Sequence, residues 1–165
     1  MADVNTALEG NRDAIRDLVA AAERSRDVWG VPRAAGKWSP SQLIEHVARS
    51  LEEAANVVSG APAALPRLPA FLRPLARVLV FKRVLRKGTF PKSKATKATD
   101  PISGPSTAAD ARARLETALA KFEDECRSCA KADRSVKSDA FGTVSLVDYA
   151  RFAEVHTRHH CRQLK

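Results

Sequence analysis

Residues 37–60 read KWSPSQLIEHVARSLEEAANVVSG. Ser39 is suited to cap a helix, Pro40 to occupy its first position, where a missing N–H costs nothing, and Gln42 to complete a capping box. Gly60 supplies the stop. His46 follows Leu43 and precedes Val47, so this helix carries a single histidine near its apolar stripe.

The same reading extends in both directions. Residues 3–29 run without proline, with Leu8, Ile15, Leu18, Val19 and Ala22 at helical spacing, and GVPRAAG (30–36) is a connection. A third long helix starts in GPSTAADARARLETALAKFEDECRSCAKA (104–132), capped by Ser106 or Thr107, with Leu115, Leu119 and Phe122 as core positions. A fourth occupies FGTVSLVDYARFAEVHTRHHCRQL (141–164), with Ser145 as cap and Asp148 favourable in its first turn. No segment has a strand pattern and none repeats. The fold class is all-α, a four-helix bundle in one domain spanning 1–165.

Helices two and three are separated by about 45 residues, 61–105, against the usual ~2–8 of a bundle connection. Part of this insertion, RPLARVLVFKRVLRKG (73–88), is itself a short helix, with Pro74 in its first turn and Gly88 as its stop. The remainder, TFPKSKATKATDPISGPS (89–106), is rich in turn residues. A connection of this length can return the chain along the bundle, so that helices two and three run parallel with one crossover.

Composition narrows the function classes. The chain of 165 residues is 44% hydrophobic and 28% charged, as in a soluble globular protein. MADVNTALEGNRDAIRDL at the N-terminus offers no signal-peptide core, and no run reaches the ~18 apolar residues of a membrane span. Cys126, Cys129 and Cys161 are an odd set that suits reduced thiols, so a cytoplasmic location is expected. The net charge of +9 is local: residues 61–99 hold ten Lys or Arg and no acid, including Lys92 and Lys94.

Three of the four histidines lie in EVHTRHHCRQL (154–164). His156 and His160 share a helix face with Tyr149, Phe152 and Gln163, whereas His159 is rotated about 100° from His160. His46 lies about 10 Å along its helix, and His156 and His160 about 12 and 6 Å from the end of theirs. If the two helices are antiparallel, His46 comes level with the pair. Three imidazoles then converge and leave a coordination position open, the ligand count of a catalytic zinc site. A histidine pair at this spacing also occurs without metal, which leaves a purely structural role as the alternative. His159 is placed outside the ligand set.

WSPSQLIEHV, together with the terminal H-x-x-H-H-x-x-Q pattern, resembles the DinB/YfiT-like metalloenzymes, in a branch known only as a domain of unknown function. The likeness covers essentially the whole chain. It implies a four-helix bundle with a divalent metal, zinc or nickel, on His46, His156 and His160. Some relatives are S-transferases that use bacillithiol, mycothiol or glutathione, so a low-molecular-weight thiol is implied as a co-substrate. His159, Gln163, Tyr149 and Trp38 are candidates for the surroundings of the metal or the substrate pocket.

Other features are assigned to structure. Cys126 and Cys129 form C-x-x-C inside a helical pattern, without the βαβ context of a redox motif or a second ligand pair. Cys161 points away from its neighbour His160. Glu45, Glu52, Glu53 and Glu154 read as helix surface, any one of which could act beside the site if turned inward. No phosphate-binding, dinucleotide or hydrolase-elbow motif is present. In the basic segment, Phe71, Leu75, Val78 and Leu85 fall on one side. Closure of the bundle by that side, with solvated charges, is the favoured reading; an anionic membrane or nucleic acid is the rival, with nucleic acid disfavoured by the scarcity of aromatics. Arg83, Arg86 and Lys87 could form a positive rim that draws an anionic thiol or substrate. The expected protein is thus a metal-dependent transferase or hydrolase-type enzyme acting on a small molecule, and a homodimer is compatible with it. The alternative is a non-catalytic module that uses the basic segment.

Overall fold

The computed structural model describes residues 2–91 and 95–164; Lys92 and Lys94 lie outside them. Four long helices form the bundle: α1 (Ala2–Arg24), α2 (Pro40–Ser59), α5 (Ala108–Lys131) and α6 (Leu146–Cys161). Two short helices, α3 (Arg73–Ala76) and α4 (Lys82–Lys87), lie in the crossover and flank a π-helical turn, Arg77–Phe81. The core is lined by Leu8, Leu18, Ile44, Val47, Leu115 and Phe122, all at most 1% exposed.

The capping signals act as read. Ser39 and Gln42 make a reciprocal capping box on α2, and Gly60 ends it at φ 83°. Thr107 and Asp110 do the same on α5, and the Ser145 hydroxyl accepts from the Asp148 N–H on α6. α1 is shorter than expected. Ser25 bonds back to the Ala22 carbonyl, and the chain tightens into a 3-10 turn at Arg26–Val28. α6 ends at Cys161, three residues before the expected limit, so His160 stands in its last turn.

Helix directions follow from the ion pairs. Arg114 on α5 grips Glu45 and Glu52 on α2, Lys121 donates to Asn56, and Arg134 reaches the Ser59 carbonyl. The numbers rise together, so α2 and α5 run the same way. Arg12–Glu123 and Arg112–Glu23 pair α1 with α5 in the opposite sense. Asn11 donates to the Ala150 carbonyl and Arg158 reaches Asp17, which sets α6 parallel to α1 and therefore antiparallel to α2.

Two expectations are corrected. A small antiparallel hairpin, β1 (Val136–Ser138) and β2 (Gly142–Val144), interrupts the all-helical chain. Three-residue strands are too short to register as an alternating pattern. Its tip holds the crossover: Asp139 pairs with Arg67 and Arg73, and its carbonyl accepts from the Leu68 N–H. The crossover helix also buries a different face. Phe81 and Val84 are buried and Leu85 packs partly against the core, whereas Leu75 and Val78 are 54% and 55% exposed. The π turn adds a residue to the helical ladder, so a stripe read at uniform spacing across it does not stay on one side.

The crossover returns to the start of α2. The Trp29 indole and the Ser41 hydroxyl both donate to the Pro105 carbonyl, each at 2.7 Å. Gly104 packs so closely that a Cβ there would collide with the Ser41 carbonyl.

Truncating a ring buried in this way should be costly and trimming the exposed side should not. Phe81→Ala is expected to lower unfolding free energy by about 3–5 kcal/mol, and Leu75→Ala or Val78→Ala by less than about 0.5 kcal/mol, in urea melts.

Candidate metal centre

Antiparallel α2 and α6 place His46 level with the last two turns of α6. The His156 Nε2 lies 3.3 Å from the His46 Nε2 and 3.1 Å from the His160 Nε2. The ligand atoms of all three rings lie within 4.8 Å of one another, a group that can hold a metal ion. In tetrahedral coordination with metal–nitrogen bonds of about 2.0–2.1 Å, neighbouring ligand nitrogens are about 3.3 Å apart. The spacing fits.

Hydrogen bonds on the far sides of the rings decide which nitrogens face inward. The His46 Nδ1–H donates to the Thr99 carbonyl at 2.8 Å, and the His160 Nδ1–H donates to the Gln163 Oε1 at 2.9 Å. Each neutral ring then has its bare Nε2 lone pair turned toward His156. Two acceptors aimed at one point suit a cation there, and an outward N–H bond is the usual support of a metal-bound histidine. Burial lowers the His46 pKa despite the Thr99 bond. Burial, then the neighbouring His46, pulls His160 down to about 3. His156 is held well below the ordinary range by burial and the adjacent His160 and His46. All three rings are therefore neutral at pH 7, the form in which histidine can ligate a metal.

The site opens into a cavity of about 1070 Å³. Trp38, Tyr149, His159 and Gln163 all line it. The Trp38 ring lies 4.5 Å from His46, and burial raises the Tyr149 phenol above its usual range. His159 stands aside from the cluster, its Nε2 3.2 Å from the Gln163 Nε2. Arg83, Arg86 and Lys87 are exposed on α4 and absent from the cavity lining, whose cations are Arg33 and Lys37. The four glutamates also stay outside. Glu45 and Glu52 clamp Arg114, Glu53 accepts from the Ala64 N–H, and Glu154 pairs with Arg158. Cys126, Cys129 and Cys161 are buried and in no disulfide, and burial pushes the Cys126 thiol up to about 12.

Two parts of the site carry no signal in the sequence. Phe90, in the crossover, packs edge-on against His156 at 5.2 Å and closes one wall. The Thr99 contribution is a backbone carbonyl, which no residue type advertises. A turn over Thr96–Thr99, closed by the Thr99 N–H to the Thr96 carbonyl, aims it.

A model of the DinB superfamily matches residues 7–164, and the chain belongs to that superfamily. Neither a curated protein nor a solved structure matches it.

The ring orientations are directly measurable. In metal-free protein at neutral pH, long-range proton–nitrogen spectra are expected to show His46 and His160 as neutral Nδ1–H tautomers. An Nε2–H form at both would contradict the arrangement.

Proposed function

We propose that this member of the DinB superfamily is a divalent-metal protein, with zinc or nickel on the Nε2 atoms of His46, His156 and His160, and that it acts as a metal-dependent enzyme on a small molecule. The observation that carries the reading is the outward tethering of His46 and His160, which turns bare nitrogens toward a common point. A metal held by three protein ligands keeps a position open and, when bound, supplies Lewis acidity that polarises a substrate group or lowers the pKa of a bound water or thiol.

The chain's own residues do the remaining work. The Thr99 carbonyl and the Gln163 amide fix the tautomers and angles of two rings. Trp38 packs beside His46 and Phe90 edge-on against His156, and with Phe152 they give the cavity an aromatic wall. Arg33 and Lys37 supply positive charge suited to an anionic substrate. Transfer of a low-molecular-weight thiol is the reaction we favour, because an open metal position in a large, mostly apolar cavity with Arg33 and Lys37 in its lining can seat both an anionic thiol and an apolar acceptor.

Tag-free protein is expected to contain about one divalent ion per chain, as a mononuclear site requires. His46→Ala, His156→Ala and His160→Ala should each sharply reduce it, and His159→Ala should not. Gln163→Ala should weaken affinity by about 10–100-fold. Equal retention in all variants would sink the assignment. Chelated protein should remain helical, because its core does not depend on the ion, and a hundredfold excess of metal over Kd should restore about 2.7 kcal/mol of stability. A largely unfolded apo-chain by circular dichroism would count against this.

A further inference from the structure

The crossover helix displays a surface that the metal centre does not use. Phe71 is 79% exposed, Leu75 54%, Val78 55%, Leu79 57% and Leu72 37%. These are five of the eight large apolar residues most open to solvent among the described residues, and they fall within nine consecutive positions. The exposed apolar residues lie before and within the π turn, and the exposed cations Lys82, Arg83, Arg86 and Lys87 follow directly after it on α4, so the crossover presents an apolar stretch next to a basic one. All four of these cations are exposed. None has a hydrogen-bond or ion-pair partner among the described residues. No acid occurs anywhere in 61–99.

The exposure is not that of a frayed segment. Phe81 stacks on Phe152 at 4.9 Å and Val84 is fully buried, so the underside is anchored to the bundle. The Asp139 pairs hold the N-terminal end, and Arg77 donates to the Thr143 carbonyl. The outer face is thus held in place and left uncovered.

We propose that this face docks the protein on an anionic lipid bilayer, with Phe71, Leu75, Val78 and Leu79 in the headgroup–acyl boundary and Lys82, Arg83, Arg86 and Lys87 on lipid phosphates. The chemistry selects this occupant. Nucleic acid would pair with the cations but offers nothing to cover the aliphatic side chains of Leu75, Val78 and Leu79. A second copy of the chain would bring the same unpaired cations against themselves. An amphipathic basic face lying in the plane of an anionic interface satisfies both halves. Each such cation near an anionic leaflet strengthens partitioning about fivefold.

Vesicle co-sedimentation of the full chain tests this, with vesicles of phosphatidylcholine alone and of equal parts phosphatidylcholine and phosphatidylglycerol. Binding is expected only to the anionic vesicles, weakened by salt. The combined variant Lys82→Glu, Arg83→Glu, Arg86→Glu, Lys87→Glu should reduce it a hundredfold or more, and so should Leu75→Glu with Leu79→Glu. Both sets lie on exposed positions, so circular dichroism and urea melts should stay unchanged. Tryptophan emission of Leu75→Trp should shift to the blue on addition of anionic vesicles. No binding to anionic vesicles would overturn the proposal. So would binding that survives Leu75→Glu with Leu79→Glu, which marks adsorption by charge alone. Tighter binding to duplex DNA than to vesicles at equal salt would assign the face to nucleic acid instead. A lipid-free dimer that the Leu75→Glu, Leu79→Glu variant dissociates would assign it to a second copy.

Discussion

The hydrogen bond from the His46 Nδ1 to the Thr99 carbonyl ties the two unusual features of this chain together. One partner sits on a bundle helix and the other near the end of the long crossover. Without the crossover, α2 and α5 could not run in the same direction, α6 could not oppose α2, and His46 would not stand level with His156 and His160. The loop that makes the topology possible also orients the ring that the topology delivers. Gly104 and the Pro105 carbonyl secure that loop against the start of α2, so the carbonyl is positioned by packing on both sides.

The cluster conflicts with the ordinary rules for a bundle interior. Three imidazoles occupy space that aliphatic side chains would fill more favourably, and their neutral forms are enforced by burial. Conflicts of this kind are expected at functional sites. Apart from Asp100, which lines the cavity, the carboxylates nearest the bundle core are paired elsewhere. Glu45 and Glu52 are paired with Arg114 between helices, Glu154 with Arg158, and the cavity retains His, Trp, Phe and Tyr with Arg33 and Lys37 near them. The fold therefore separates the ion pairs that align the helices from the nitrogens that converge inside.

Much of this was legible in the sequence because it depends on local signals. Ser39 with Gln42, Thr107 with Asp110, and Ser145 each punctuate a helix through bonds made within four residues. The i, i+4 spacing of His156 and His160, and the depth of His46 in its helix, are also local quantities. What escaped is non-local or carries no side-chain signature. The three-residue strands are stabilised by their pairing and by Asp139, not by a pattern. Thr99 acts through its carbonyl. The π turn at Arg77–Phe81 rotates the apolar stripe, so Phe81 and Val84 are buried where Leu75 and Val78 were expected, and a periodicity argument that assumes a uniform helix cannot see the shift.

In the proposed site three imidazole nitrogens, and no sulfur, hold one divalent ion. X-ray absorption fine structure of the zinc- or nickel-loaded protein tests it most directly. Imidazole scattering is expected from about three nitrogens at about 2.0–2.1 Å, with oxygen or nitrogen donors in the remaining positions. A sulfur shell at about 2.3 Å, implicating Cys161, or a spectrum without imidazole scattering, would contradict it.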